Sequence, residues 1–419
     1  MKVYKSLFML LALAVVFSCS NTPSSGGSTS STSSTSSTSS TSSTGSTSST
    51  SSSSSYLTDD MFLDDYEIPV YELRTISPWG NAICYSGYRT NQKPGGPYPT
   101  YEQVYADLII LTNQWKYIRM YDTGPHCETV LKVIHDYNLP LKVYMGVAVG
   151  YPASSWTERF RTVSNYPSAC WENDTNQITN LFRLYNLYSN HIVAVSVGNE
   201  CLVDWSDHQV PGPILFSYLK WVRSNVSVPV TVDEDIGYWA LDNNFAQNGK
   251  YWTNIIKACD FVAIHLYPCK IGKWVPKLSN TTEAFIYTTN TYYKMVAKSL
   301  SNRQVVIGEG GWATGGTFEG VVNTNLLCET NQKTHYNDIV FWASNNNVLY
   351  FWFEAFDEYW KGSANNIEIY WGLFFDYGGT NRVAKYAMYD YYTNCQYDIS
   401  IPWLSSWSNL IDTNRPPKW

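Results

Sequence analysis

Eight short runs rich in β-branched and aromatic residues recur along this chain, spaced so that a helix fits between most of them. The runs are Ala82–Ser86, Tyr117–Tyr121, Lys142–Val147, Val193–Val197, Val228–Val232, Phe261–Leu266, Gln304–Ile307 and Val348–Phe353. Between them, Tyr101–Asn113, Glu128–Tyr137, Gln177–Tyr188, Pro213–Ser224, Thr282–Leu300 and Thr330–Ser344 repeat apolar residues at helical spacing, as in Val130, Val133 and Ile134. Strands joined through helices run parallel, and a parallel sheet must be covered on both faces. Eight such units predict an α/β fold, a closed (β/α)8 TIM barrel. An open doubly wound sheet is the alternative, and the connection between the fifth and sixth runs is the least regular.

The alternation occupies one block. From Ser20 to Ser55 the chain is almost wholly Ser, Thr and Gly without charge, so nothing there offsets the entropy of folding. Residues 19–58 are expected to be a flexible tether and residues 59–419 a single catalytic barrel domain. Ahead of the tether, Lys2 and Lys5 precede the apolar run Leu7–Phe17, which is too short to span a bilayer and has the length of a signal-peptide core. The run ends in Val16-Phe17-Ser18-Cys19, similar to the site where bacterial lipoproteins are cleaved and lipidated. Residues 1–18 are therefore expected to be a signal and Cys19 the lipidated residue. Ordinary cleavage near Ser18 or Ser20, leaving a free secreted chain, stays open. Either route gives an extracytoplasmic protein that meets a membrane only through a lipid anchor.

Composition narrows the function. The formal net charge is −7 with no basic cluster, which argues against a nucleic-acid partner. The chain carries 17 Trp, 34 Tyr and 16 Phe, an aromatic share that suits a ligand with flat, weakly polar faces such as a sugar ring. The 6 His are scattered and none stands in a His-Glu-x-x-His arrangement, so neither a metal nor an organic cofactor is expected. Of the 9 Cys, those other than Cys19 allow one to four disulfides in an oxidising compartment. The protein is expected to act as a monomer.

In a TIM barrel the chemistry sits at the C-terminal ends of the strands. The fourth run leads through Gly198 to Asn199 and Glu200, the seventh through Gly308 to Glu309, and the eighth ends at Glu354. Tyr121 and Asp122 follow the second run and Tyr267 the sixth. Gathering acids at one rim is costly unless they have partners or a task. Two carboxylates on opposite walls are what glycoside hydrolysis needs, one protonated to assist the leaving oxygen and one ionised to attack the anomeric carbon. Asp233-Glu234-Asp235 after the fifth run reads as a solvated loop, although one of these acids could reach a sugar. Gly308, Gly310 and Ala313 also fit a G-x-G-x-x-A pattern. Dinucleotide binding is set aside because the pattern falls late in the chain and Trp312 would crowd a pyrophosphate.

The blocks V-S-V-G-N-E at 195–200 and V-I-G-E-G-G-W at 306–312 resemble the acid/base and nucleophile motifs of clan A retaining glycoside hydrolases. The blocks F-E-A-F-D-E-Y-W-K at 353–361 and E-I-Y-W-G-L-F at 368–374 narrow the match to glycoside hydrolase family 17, the β-1,3-glucanases and β-1,3-glucan transglucosylases. A-I-C-Y-S-G-Y-R at 82–89, Y-I-R-M-Y-D at 117–122 and H-L-Y-P at 265–268 fit its first, second and sixth strands, and V-D-W-S-D-H at 203–208 is more like its bacterial branch. The resemblance implies a β-1,3-glucan substrate, with Glu200 as general acid/base and Glu309 as nucleophile. It implies Asn199 at the sugar 2-hydroxyl, Tyr267 donating to Glu309, and Tyr85, Tyr121 and Trp312 as walls of the cleavage subsite. Glu354, Glu358, Lys361 and Glu368 match the family's charged cluster, with Lys361 paired to Glu368 as one arrangement. Gly310 departs from relatives that often carry a side chain there. A transglucosylase, a non-catalytic surface glycan-binding protein and a clan A cellulase or mannanase are the rival readings.

Overall fold

The computed structural model describes residues 73–76, 80–150, 160–240, 249–273, 280–298, 303–317, 324–377 and 381–392. The expected signal, Cys19 and the tether lie outside them. Eight strands close into one parallel barrel in sequence order, β1 (Ala82–Cys84), β2 (Tyr117–Arg119), β3 (Lys142–Val147), β4 (Ile192–Asn199), β5 (Val230–Asp235), β6 (Val262–Leu266), β7 (Val305–Gly310) and β8 (Tyr350–Trp352). Closure is direct, with Ala82 and Ile83 of β1 in register with Phe351 and Trp352 of β8. The fold is the expected (β/α)8 barrel.

Helices α1 (Tyr101–Thr112), α2 (Pro125–Asp136), α3 (Ser168–Tyr188) and α4 (Gly212–Asn225) cover the first half of the outer face, and α7 (Thr281–Lys298) and α8 (Glu329–Asn345) cover much of the second. Thr100 caps α1 through a reciprocal capping box with Gln103, which fixes where the helix starts. The irregular fifth connection holds two short helices, α5 (Ile236–Ala240) and α6 (Trp252–Ala258). α3 begins well before the apolar repeat that identified it. Its first turns set Cys170 and Trp171 against the core and are tied down by Asp174, which accepts from the Gly150 amide at 2.8 Å and the Tyr166 hydroxyl at 2.6 Å.

Two elements depart from the sequence reading. β5 runs on through Asp233-Glu234-Asp235, so these acids are strand residues rather than a solvated loop, and Asp233 and Glu234 are fully buried. They tolerate burial because the barrel supplies partners, described below. After β8 the chain forms an antiparallel hairpin, β9 (Phe374–Tyr377) with β10 (Asn381–Ala384), which the sequence did not signal. Arg382 of β10 reaches back to Asp107 of α1, donating from Nε and Nη2 at 3.0 Å each. Arg89 and the Tyr85 hydroxyl converge on the same buried carboxylate.

The seven described cysteines are all buried and unpaired, against the expectation of disulfides among them. All but Cys328 belong to one continuous apolar core, where a thiol packs as a small hydrophobe. Among the described residues no helix is long and apolar enough to cross a membrane.

Candidate active site

Glu309 ends β7 between two glycines that the site requires. A side chain at position 308 would run into Asp233 Oδ1 at 1.9 Å, and one at position 310 would meet the Tyr350 hydroxyl at 2.2 Å. The Gly310 departure is therefore matched to this barrel's own packing. The Glu309 carboxylate accepts from Arg119 Nη1 at 2.6 Å through one oxygen and from the Tyr267 hydroxyl through the other. Burial alone would raise its pKa, but the charges of His265 and Arg119 and the Tyr267 hydrogen bond outweigh that and hold it ionised.

Glu200 follows β4 with a φ of +49°, a conformation unusual for a residue with a side chain. The strain is held by neighbours. Its own amide donates to the Asp233 carbonyl at 2.7 Å, and the next two amides, of Cys201 and Leu202, both donate to Glu234 Oε1 at 2.9 Å. Glu234 thus pins the turn that presents Glu200. The half-exposed carboxylate of Glu200 meets His265 Nδ1 at 2.8 Å, and the same nitrogen lies 3.5 Å from Glu309 Oε2. Carboxylate oxygens of Glu200 and Glu309 and a ring nitrogen of His265 all fall within 4.8 Å of one another.

Beneath this pair lies a charged layer that the sequence reading missed. Arg119 of β2 donates to Asn199 Oδ1 at 2.6 Å and to the Gly308 carbonyl at 3.1 Å, and sits 3.5 Å from Asp233 Oδ1. The Tyr144 hydroxyl also donates to Asp233. His265 of β6 contacts Asp233 and Arg119 through Nε2. Although burial disfavours its charge, Glu309 and Glu200 raise the His265 pKa to about 10, so it is an imidazolium at neutral pH. Three acids and two cations are interlocked below one rim. A single signal could have found Arg119 and His265, namely an ionisable residue near the C-terminal end of an otherwise apolar barrel strand. Glu200, His265 and Glu309 could in principle ligate a metal ion, but Arg119 and the imidazolium already bring the positive charge a cation would supply.

That geometry has a measurable consequence. The folded-state pKa of His265 lies above its unfolded value of about 6.5, so its ion pairs stabilise fully below that value and are lost as pH rises through about 10. The melting temperature of the wild type is expected to fall more steeply between pH 7 and 10 than that of His265→Gln. Parallel slopes would show that the imidazole is neutral in the fold.

The other residues singled out by sequence separate into three groups. Asn199, Tyr121 and Tyr267 join Glu200 and Glu309, with the Arg119 guanidinium 4.7 Å from the Tyr121 ring centre. Glu354, Glu358 and Lys361 form an adjoining buried triad in which Lys361 Nζ lies 2.7 Å from Glu354 and 2.6 Å from Glu358. Burial pushes the Glu354 pKa well up, whereas the Lys361 charge overcomes burial and holds Glu358 down, so the one lysine pulls against burial at both acids. Two expectations fail. Trp312 is 1 % exposed, donates its indole N–H to the Leu326 carbonyl at 2.9 Å and packs on His335, so it belongs to the core and offers no face to a sugar. Tyr85 is buried with its hydroxyl turned toward Asp107, and it lines a pocket together with Tyr121. Glu368 pairs with Lys270 at 2.7 Å rather than with Lys361, whose charge is already taken by its two nearer acids.

Residues 82–372 match the BtgE/BtgC glycoside hydrolase domain. The chain is 27% identical over 299 residues, 66% of its length, to a putative glucan endo-1,3-beta-glucosidase btgC of Aspergillus niger, and spans 38% of that protein. It is 29% identical over 203 residues, 48% of its length, to a glucan 1,3-beta-glucosidase of Schizosaccharomyces pombe, spanning 58% of it. Thus the chain covers less than two thirds of the curated relatives it matches. Among solved structures, an endo-laminarinase from Formosa Hel1_33_131 superposes with a TM-score of 0.62 at 23% identity, covering 74% of this chain and 86% of that one. A Rhizomucor miehei beta-1,3-glucanosyltransferase mutant in complex with laminaritriose gives a TM-score of 0.53 at 19% identity, covering 70% and 92%. These likenesses share the barrel fold, and the domain match, which covers most of the chain, carries the assignment that the motifs suggested: this chain belongs to the BtgE/BtgC family of glycoside hydrolase domains.

Proposed function

We propose that the protein cleaves β-1,3-glucan with retention of configuration. The observation that carries this reading is the Glu200–Glu309 pair, with carboxylate oxygens within 4.8 Å. A gap of about 5–5.5 Å suits a double displacement, whereas single displacement needs about 6.5–9.5 Å to admit a water between acid and sugar. In the first step Glu309 attacks the anomeric carbon as Glu200 gives its proton to the departing glycosidic oxygen, forming a glucosyl ester. In the second, Glu200 takes a proton from water, whose oxygen displaces Glu309 from that carbon. Arg119 and Tyr267 keep the attacking carboxylate ionised and aimed, and Asn199, itself oriented by Arg119, serves the 2-hydroxyl. The β-1,3-glucan specificity rests on the named activities of the relatives.

Incubating the purified chain with laminarin and with a β-1,4-glucan, and following the anomeric protons by NMR, tests the proposal. Short β-1,3 products from laminarin alone, born in the β configuration, are expected. Initial α products would overturn retention, and elongated oligosaccharides would assign transfer to sugar rather than to water. An unchanged laminarin with folded protein would remove the activity. We further infer export and anchoring of a monomeric enzyme through Cys19, which mass spectrometry of the membrane fraction would reveal as a lipid-modified N-terminus.

A further inference from the structure

The chain that follows Glu200 folds back on itself over residues 201–210. The Val210 amide donates to the Cys201 carbonyl at 2.9 Å, and the Ser206 amide to the Val203 carbonyl at 3.2 Å. Arg161 Nη1 donates to the Gln209 carbonyl at 3.1 Å, and the Gln209 side chain donates to the Val203 carbonyl at 3.2 Å. Gly150, where no side chain would fit, packs against the His208 carbonyl. A loop tied down in this way carries its side chains in fixed directions, and it aims the His208 ring at the main chain just before Glu200.

Both ring nitrogens of His208 are engaged. Nε2 lies 2.7 Å from the Asn199 main-chain carbonyl, and Nδ1 lies 2.8 Å from Asp207 Oδ1. A peptide carbonyl only accepts, and so does an ionised carboxylate, so a ring that serves both carries a proton on each nitrogen. Among the described residues, the charged groups acting most strongly on the ring are Asp207 of its own loop and Glu200 at the end of β4. Burial alone would lower the His208 pKa, but the Asp207 hydrogen bond and charge, the Asn199 carbonyl and the Glu200 charge together raise it. The His208 and Asp207 side chains are 15% and 18% exposed, so the ring can exchange its proton with solvent.

The carbonyl held by His208 belongs to the peptide that joins Asn199 to Glu200, and the amide of that same peptide donates to the Asp233 carbonyl at 2.7 Å. One peptide plane is thus fastened at both ends, where Glu200 takes its φ of +49°. Freed at one end, the plane could turn toward an ordinary φ and swing the carboxyl with it. We infer that His208 is a positioning residue for Glu200: its imidazolium clamps the Asn199–Glu200 peptide, keeps the acid/base carboxyl aimed at the glycosidic oxygen, and lets go when the ring loses a proton. With one proton left the ring can serve one acceptor only, and the charged Asp207 competes for it better than a neutral carbonyl does. This rests on the reading of Glu200 as the acid/base.

The test uses His208→Ala, which removes the clamp, and His208→Gln, which keeps an N–H near the place of Nε2 but does not titrate. Two substrates are compared, a β-1,3-linked glucose oligosaccharide, whose leaving alcohol needs a proton, and the same chain bearing a dinitrophenolate, which departs unaided. On the first, kcat/KM of His208→Ala is expected to fall by about 10- to 100-fold, and on the second far less, with partial rescue in His208→Gln. The advantage of the wild type over His208→Gln on the first substrate should shrink as pH rises, because only the wild-type clamp loses a proton. Equal losses on both substrates would mark a merely structural role and overturn the proposal, as would a ratio of wild type to His208→Gln that does not change with pH. The pH comparison decides alone should His208→Ala unfold. If the folded wild type cleaves neither substrate, the reading of Glu200 falls and this one with it.

Discussion

Glu309→Gln is expected to lower glucan cleavage by about 10⁴-fold or more while the barrel stays folded. The amide is isosteric with the carboxylate and still accepts through one oxygen, so the contact with Arg119 can persist. What it lacks is the lone-pair density that forms the glucosyl ester. It also leaves Arg119 and His265 with Asp233 and Glu200 as their acid partners among the described residues, and removing one member of a buried charge group typically costs about 3–5 kcal/mol. A lower melting point with an unchanged circular-dichroism spectrum should therefore accompany the loss. Full activity in a folded variant would remove Glu309 from the nucleophile role. The smaller variant Glu309→Ala gives a sharper check, because azide entering the vacated face should yield an α-glucosyl azide.

Glu200→Ala is expected to cost about 10²–10⁴-fold on glucan, whose leaving alcohol needs a proton, and much less on an aryl glucoside whose leaving group departs unaided. Here the ester to Glu309 still forms, so azide attacks it from the opposite face and the product is the β-glucosyl azide. Opposite azide stereochemistry in the two variants is the expected pattern, and the same anomer from both would exchange or abolish the assigned roles. The variant also removes the acid that His265 Nδ1 faces at 2.8 Å, so His265 should titrate lower than in the wild type. An NMR titration of the imidazole checks that.

Both glutamates were legible because strand ends are legible: a β-rich run stops, a glycine follows, and a glutamate stands within the next two residues at the rim. The barrel was legible for a related reason, since the alternation of runs and helices has few other parallel solutions. Arg119, His265 and Asp233 were not, because strand patterning reports that a position is inside without reporting what it meets across the barrel. Their contacts join β2, β5 and β6, which no local window samples. Trp312 shows the converse. A tryptophan three residues past Glu309 reads as a sugar platform by type, yet its direction depends on α8, where His335 receives it. The pairing of Glu368 with Lys270 instead of Lys361 was equally a matter of which loops meet.

The direct pairing of β1 with β8 brings together the two ends of the described barrel. A seam of that kind cannot be sewn until the eighth strand exists, so a nascent chain would carry strands, helices and several acids long before it holds a working site. The same delay applies to Glu309 on β7, because burial would neutralise that carboxylate and it is His265 of β6 and Arg119 of β2 that hold it ionised. On the proposed function, partial products of synthesis would lack the assembled carboxylate pair, which forms only with completion of the ring. On the reading of the protein as an exported glucan-cleaving enzyme, topology itself would withhold activity until the whole barrel has been made.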